Sequence, residues 1–151
     1  MRKDWNDYFF DIAKTVATHS PCLRRQVGAV AVNQQSRIIG TGYNGPPSKF
    51  PHCDTHQCYR LENRIPSGQQ LDMCFAVHAE ANLVVQLGCQ LQGCTVYVTH
   101  QPCSNCAKLL LAAGVVQIRW KEPYPDHFAD AILRRMGHID MGNPMIWTRE
   151  C

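Results

Sequence analysis

The sequence predicts an α/β domain, a mixed β-sheet covered by helices on both faces. Three observations carry this expectation. Strand-like apolar runs alternate with helical patterns along the C-terminal half. The run VGAVAV, residues 27–32, is apolar throughout, as suits a strand buried on both faces. Glycines at 88, 114 and 137 close three successive helical stretches.

The elements follow in order. Trp5, Tyr8, Phe9, Ile12 and Val16 fall on one helical face, with Asp4 placed to cap the helix and Asp7 near its positive end. The strand 27–32 is followed by polar NQQS and then RIIGTGY, residues 37–43, so a hairpin is expected. NGPP, residues 44–47, ends it. Residues 50–73 lack periodicity and carry Pro51, His52, Cys53, His56, Cys58, Pro66 and Gly68. A loop of that length in a compact domain is functional or pinned by something. HAEANLVVQLG, residues 78–88, reads as a helix with Ala81, Val84 and Val85 on one face. CTVYVTH, 94–100, reads as a strand, CSNCAKLLLAAG, 103–114, as a helix opened by Pro102, and VVQIRW, 115–120, as a strand. HFADAILRRMG, 127–137, is a further helix, and PMIWT, 144–148, a last edge strand. Residues 1–151 form a single domain with a Cys/His-rich insert at 50–74, and no internal repeat is visible.

Composition bounds the function. Of 151 residues, 45% are hydrophobic and 18% charged, which excludes a disordered chain. The net charge is +3, and no run of Lys/Arg exceeds two residues, as in Arg24-Arg25. Nucleic-acid binding, which favours a basic stripe, is therefore not expected, whereas a small anion such as a nucleotide fits. No apolar run approaches the ~18 residues of a membrane span, and the first residues lack a secretion signal, so a soluble cytoplasmic protein is expected. Nine cysteines in a reducing compartment suggest metal ligands, catalytic groups or core fillers more than disulfides.

The stretch HQPCSNC, residues 100–106, supplies two of those cysteines at a helix start. Cys103 and Cys106 are i and i+3, hence on one helical face, and a helix N-terminus favours their thiolates. His78 in HAE opens the preceding helix and is the natural third ligand. Three ligands leave one tetrahedral position for water, the catalytic zinc pattern. Glu80 points in a different helical direction from His78, so it belongs beside the metal, where a carboxylate can shuttle protons. H-x-E followed by P-C-x-x-C is the zinc nucleobase deaminase signature.

With these residues in place, the chain resembles the cytidine/deoxycytidylate deaminase superfamily, and its deoxycytidylate (dCMP) deaminases in particular. CLRRQVGAV, GTGYNGPPS, AVHAEANLV, YVTHQPCSNCAKLLLAAGV and YPD carry the resemblance. It implies a cytidine-deaminase-like three-layer α/β/α fold with a five-stranded mixed sheet. It implies hydrolysis of dCMP to dUMP and ammonia, supplying thymidylate synthesis, with zinc on His78, Cys103 and Cys106 and Glu80 as the proton shuttle. It also implies a homohexamer activated by dCTP with Mg2+ and inhibited by dTTP, and places Asn44 on the sugar or base side. Some members carry a second, structural zinc, for which Cys22, Cys53, Cys58 and Cys74 are candidates here, with His52 and His56 competing. Substrate phosphate needs cations, and Arg24-Arg25 before a strand and Lys121 with Tyr124 after one are preferred. Other readings stay open: a deaminase of dCTP, of a free nucleoside or of tRNA, or a non-catalytic protein stapled by zinc, in which Glu80 would have no purpose.

Overall fold

The computed structural model describes residues 1–54 and 58–150. Their helices and strands run α1 Trp5–Ala17, β1 Gly28–Val32, β2 Ile38–Tyr43, α2 Tyr59–Glu62, α3 Ala79–Leu87, β3 Thr95–His100, α4 Ser104–Ala112, β4 Gln117–Glu122, α5 His127–Met136, β5 Gly137–Asp140 and β6 Met145–Arg149. The strands form one mixed sheet in the order β2-β1-β3-β4-β6-β5. Only β3 and β4 pair in parallel, joined by α4 as a crossover; the other neighbours are antiparallel.

Alternation along β1 explains why all five of its residues are buried. Val30 and Val32 face α1, packing with Phe9, Phe10, Ala13 and Tyr97. Ala29 and Ala31 face the opposite layer, where Leu83 of α3, Leu110 of α4 and Leu133 of α5 join Val96, Val98, Ile118 and Trp120. The expected three layers are therefore present.

Several expectations need correction. The sheet has six strands, not five, and β6, expected at an edge, lies between β4 and β5, so that β5 takes the edge. The additional strand is β5, which follows α5 without a loop because Gly137 is not a left-handed cap: its φ is 172°, extended backbone. It is glycine because a Cβ would stand 2.2 Å from the Thr148 carbonyl oxygen and 2.7 Å from the Trp147 indole nitrogen. Trp147 is fully buried and donates from Nε1 to Leu133 O at 2.8 Å, closing the C-terminal segment onto α5.

On α1, Asp4 caps as expected, accepting from Asn6 N at 2.7 Å and Asp7 N at 3.1 Å. The buried face, however, is Phe9, Phe10, Ala13 and Ala17, while Trp5 and Tyr8 stay exposed and contact each other's rings. Small residues win the sheet-facing positions because helix and strand backbones nearly touch there. Similarly, α3 buries Ala79, Glu80, Leu83 and Leu87, and leaves Val85 in solvent. The insert also holds one short helix, α2, and a 3-10 turn over Leu71–Met73.

Candidate active site

The site lies where the N-termini of α3 and α4 meet. Gly42 of β2 sets the first of these: a Cβ there would sit 2.4 Å from Ala79 O, so only glycine lets the first turn of α3 press onto the sheet. His78 is the N-cap residue of α3, and Cys103 that of α4. Their side chains converge, with His78 Nδ1 3.5 Å from both Cys103 Sγ and Cys106 Sγ. Among the described residues, this is the one group of three or more metal-capable side chains whose ligand atoms all lie within 4.8 Å of one another. One imidazole nitrogen and two thiols at two helix N-termini are a donor set suited to zinc.

These groups strongly perturb one another. A hydrogen bond from Cys106, opposed by burial and reinforced by His78, pulls the Cys103 thiol down to about 4. Cys106, the donor in that pair and itself buried, is pushed up. The Cys103 hydrogen bond raises His78 despite its burial. Glu80, only 4% exposed, has its carboxyl pushed up to about 7, chiefly by burial.

These groups open into a cavity of about 190 Å³, which brings together most of the residues picked from the sequence: His78, Glu80, Cys103, Asn44, Arg24, Arg25, Tyr124, Cys22 and the insert cysteines Cys53, Cys58 and Cys74. Asn44 is partly committed, since Oδ1 accepts Val27 N–H and Nδ2 donates to Arg25 O, each at 2.8 Å. Arg24 donates to Ile65 O at 2.6 Å. Arg25 stacks its guanidinium 5.0 Å from the Tyr124 ring centroid, with Nη1 buried and without a hydrogen-bond partner among the described residues. Lys121 stands apart: it lines a neighbouring cleft with Phe10 and Lys14, and lies 3.4 Å from Asp7 Oδ1.

Cys22, Cys53, Cys58 and Cys74 share one cavity, and burial followed by the Cys58, Cys74 and Cys22 thiols raises Cys53. His52 lies on a separate apolar cavity with Phe50 and Phe75. His56 falls outside the described residues.

Three further residues line the cavity: Arg60, one of the arginines the sequence offers to a phosphate, His100, next to the PCSNC motif, and Gln101, which the sequence reading missed. Arg60 is buried in α2 and holds the turn that follows, donating from Nη2 to Pro66 O at 3.1 Å and Gln69 O at 2.7 Å. Its position in CYR, between an insert cysteine and the IPSG turn, was the available signal. Gln101 is buried and ties β3 to α5 through Asp130 Oδ1 at 2.7 Å. His100 Nδ1 shares a hydrogen bond with the Thr99 hydroxyl at 2.9 Å, and burial followed by the Arg25 charge lowers its pKa.

Known proteins resemble this chain in sequence and fold. Residues 3–121 match the family described as the cytidine and deoxycytidylate deaminase zinc-binding region. The deoxycytidylate deaminase of Mycobacterium phage D29 is 40% identical over 122 residues, which cover 78% of this chain and 94% of the phage protein. That of Schizosaccharomyces pombe is 32% identical over 126 residues, 82% of this chain but only 39% of the yeast protein. Among solved structures, the dCMP deaminase of cyanophage S-TIM5 in complex with dCMP and dUMP superposes with a TM-score of 0.69 at 25% identity, covering 89% of this chain and 93% of that one. With HAE and PCSNC both inside the matched region and their side chains converging in the fold, the chain belongs to the cytidine and deoxycytidylate deaminase family.

Proposed function

We propose that this chain is a zinc-dependent dCMP deaminase, converting dCMP and water to dUMP and ammonia. The observation that carries the reading is a buried carboxyl, Glu80, sharing one cavity with a His-Cys-Cys cluster and with arginines. A structural zinc staple has no use for that carboxyl. The relatives named deoxycytidylate deaminase, and the phage structure holding dCMP and dUMP, support the choice of substrate.

His78 would hold zinc through Nδ1, and Cys103 and Cys106 through their sulfurs, leaving a fourth position open. Zinc bound there supplies a water activated for attack on C4 of the base. Glu80 would take one proton of that water and pass it to N3, then take the second from the oxygen added at C4 and pass it to the amine, so that ammonia leaves and the C4 carbonyl forms. Burial suits it to this, since a carboxyl near 7 both accepts and returns a proton at neutral pH. Arg25 and Arg60 provide cations for the phosphate, Tyr124 holds the Arg25 guanidinium flat, and the remaining lone pair and N–H of Asn44 serve the sugar or base. Lys121, in the neighbouring cleft, takes no part in this assignment.

The finer expectations rest on the family resemblance: activation by dCTP with Mg2+, inhibition by dTTP, a homohexamer and a cytoplasmic location. No described helix is long and apolar enough to cross a membrane. A second zinc on Cys22, Cys53, Cys58 and Cys74 rests on the family resemblance and on their lining one cavity, although they do not converge as His78, Cys103 and Cys106 do.

The test is product analysis with zinc-loaded protein given dCMP, deoxycytidine, dCTP or a tRNA anticodon stem-loop, each with and without dCTP and Mg2+ as effector. dUMP and ammonia should form from dCMP, with kcat/KM about 100-fold or more above deoxycytidine, as expected for a charge-assisted phosphate contact. Equal turnover of the nucleoside, or turnover of dCTP or tRNA alone, would move the chain to another branch of the family.

A further inference from the structure

The stretch YPD after β4 has so far contributed only Tyr124. Its aspartate does something the metal ligands cannot. An N-cap residue ordinarily accepts a free N–H of the first helical turn on its own side-chain oxygen. Cys103 occupies the N-cap of α4 and makes no such bond; a thiol given to a metal is not available for it. The acceptor comes from another helix. Asp126 caps α5, its Oδ1 accepting Phe128 N–H at 3.1 Å and Ala129 N–H at 3.2 Å. Its other oxygen, Oδ2, accepts Ser104 N–H at 2.6 Å. One carboxylate thus caps two helices, and its contact with α4 falls on the residue next to Cys103. The Asp126 segment is itself braced: Gly68 lies so close that a Cβ there would be 2.4 Å from Pro125 O.

We infer that Asp126 is a positioning residue for the metal centre. By capping α4 from outside, it orders the turn that presents Cys103 and Cys106 before a metal binds. The inference rests on the reading of His78, Cys103 and Cys106 as the zinc ligands. Both carboxylate oxygens are used, so a single-oxygen replacement can serve only one helix.

Two variants remove the α4 contact by independent routes. Asp126→Ser keeps a good cap residue for α5 but has no second oxygen for Ser104. Ser104→Pro removes both the N–H and the hydroxyl that Ser104 offers to Asp126, while Asp126 itself is unchanged. Proline is favoured at the first helical position, and Cys103, at φ −67° and ψ 168°, already has the conformation required before proline. Zinc affinity of the wild type, both variants and the double variant is measured by competition with a chromophoric chelator. Each single variant should bind zinc on the order of tenfold more weakly, and the double variant no more weakly than either. Wild-type affinity in both variants, or losses that add in the double variant, would overturn the inference while the zinc reading stands. A wild-type protein that takes up no zinc would overturn the zinc reading and this inference together.

Discussion

Gly42→Ala adds one methyl group, yet it should disturb catalysis more than stability alone explains. The new Cβ would lie 2.4 Å from Ala79 O, a backbone atom that cannot rotate aside. Ordinary contact begins near 3.5 Å, so the first turn of α3 must retreat from β2 by roughly 1 Å. That turn carries His78 at its start and Glu80 one residue after Ala79. Overpacking of this size costs about 1–3 kcal/mol of stability. Displacing reacting groups by ~1 Å costs on the order of 100-fold in rate. Gly137→Ala is the control. Its Cβ would meet Thr148 O at 2.2 Å, a comparable clash, but β5 and β2 are opposite edges of the sheet. Urea denaturation should show both variants destabilised, and steady-state kinetics corrected for folded fraction should show only Gly42→Ala losing kcat/KM for dCMP. Wild-type kcat/KM in Gly42→Ala, or an equal loss in Gly137→Ala, would refute the reasoning.

Further outcomes follow from the same geometry. Glu80→Gln should retain zinc, measured by metal analysis, and lower kcat by about 100- to 10,000-fold, the usual share of a general acid–base group. Arg60→Gln should raise KM for dCMP far more than for deoxycytidine; equal effects on both would reduce Arg60 to a brace for the Pro66–Gln69 turn. For Asp126, burial raises the carboxyl, but the hydrogen bonds from Ser104, Ala129 and Phe128 outweigh it and hold it below the usual value of 3.8. A group with a depressed folded pKa contributes stability that is present above its unfolded pKa and lost as pH falls through the folded one. The stability gap between wild type and Asp126→Ser should therefore be constant above about pH 5 and narrow below ~3.8 in pH-dependent urea melts.

Much of the centre was legible because its ligands are spaced within short motifs at helix starts. HAE and PCSNC each mark a helix N-terminus; that the two starts meet is seen in the fold and not in the sequence. The buried strand at residues 27–32 was equally clear, since an apolar run needs both faces covered. What escaped depended on contacts between distant segments. Gly137 looks like a helix stop in one dimension, but its role is to make room for Thr148 and Trp147 on β6. The sheet-facing stripe of α1 could not be read from side-chain size, because the closest approach goes to Ala13 and Ala17 and leaves Trp5 outside. Lys121 and Tyr124 are three apart in sequence, yet they line different cavities, since Lys121 lies within β4 and Tyr124 beyond its end. The second cap made by Asp126 has no signature in sequence, as it joins residues twenty-two positions apart.

The most direct measurement compares zinc-loaded with chelator-stripped protein in one dUMP-formation assay. The account predicts dUMP and an equal amount of ammonia from dCMP with zinc on board, none after stripping, and recovery when zinc is returned. Full turnover after stripping, or none in protein carrying a full equivalent of zinc, would contradict it.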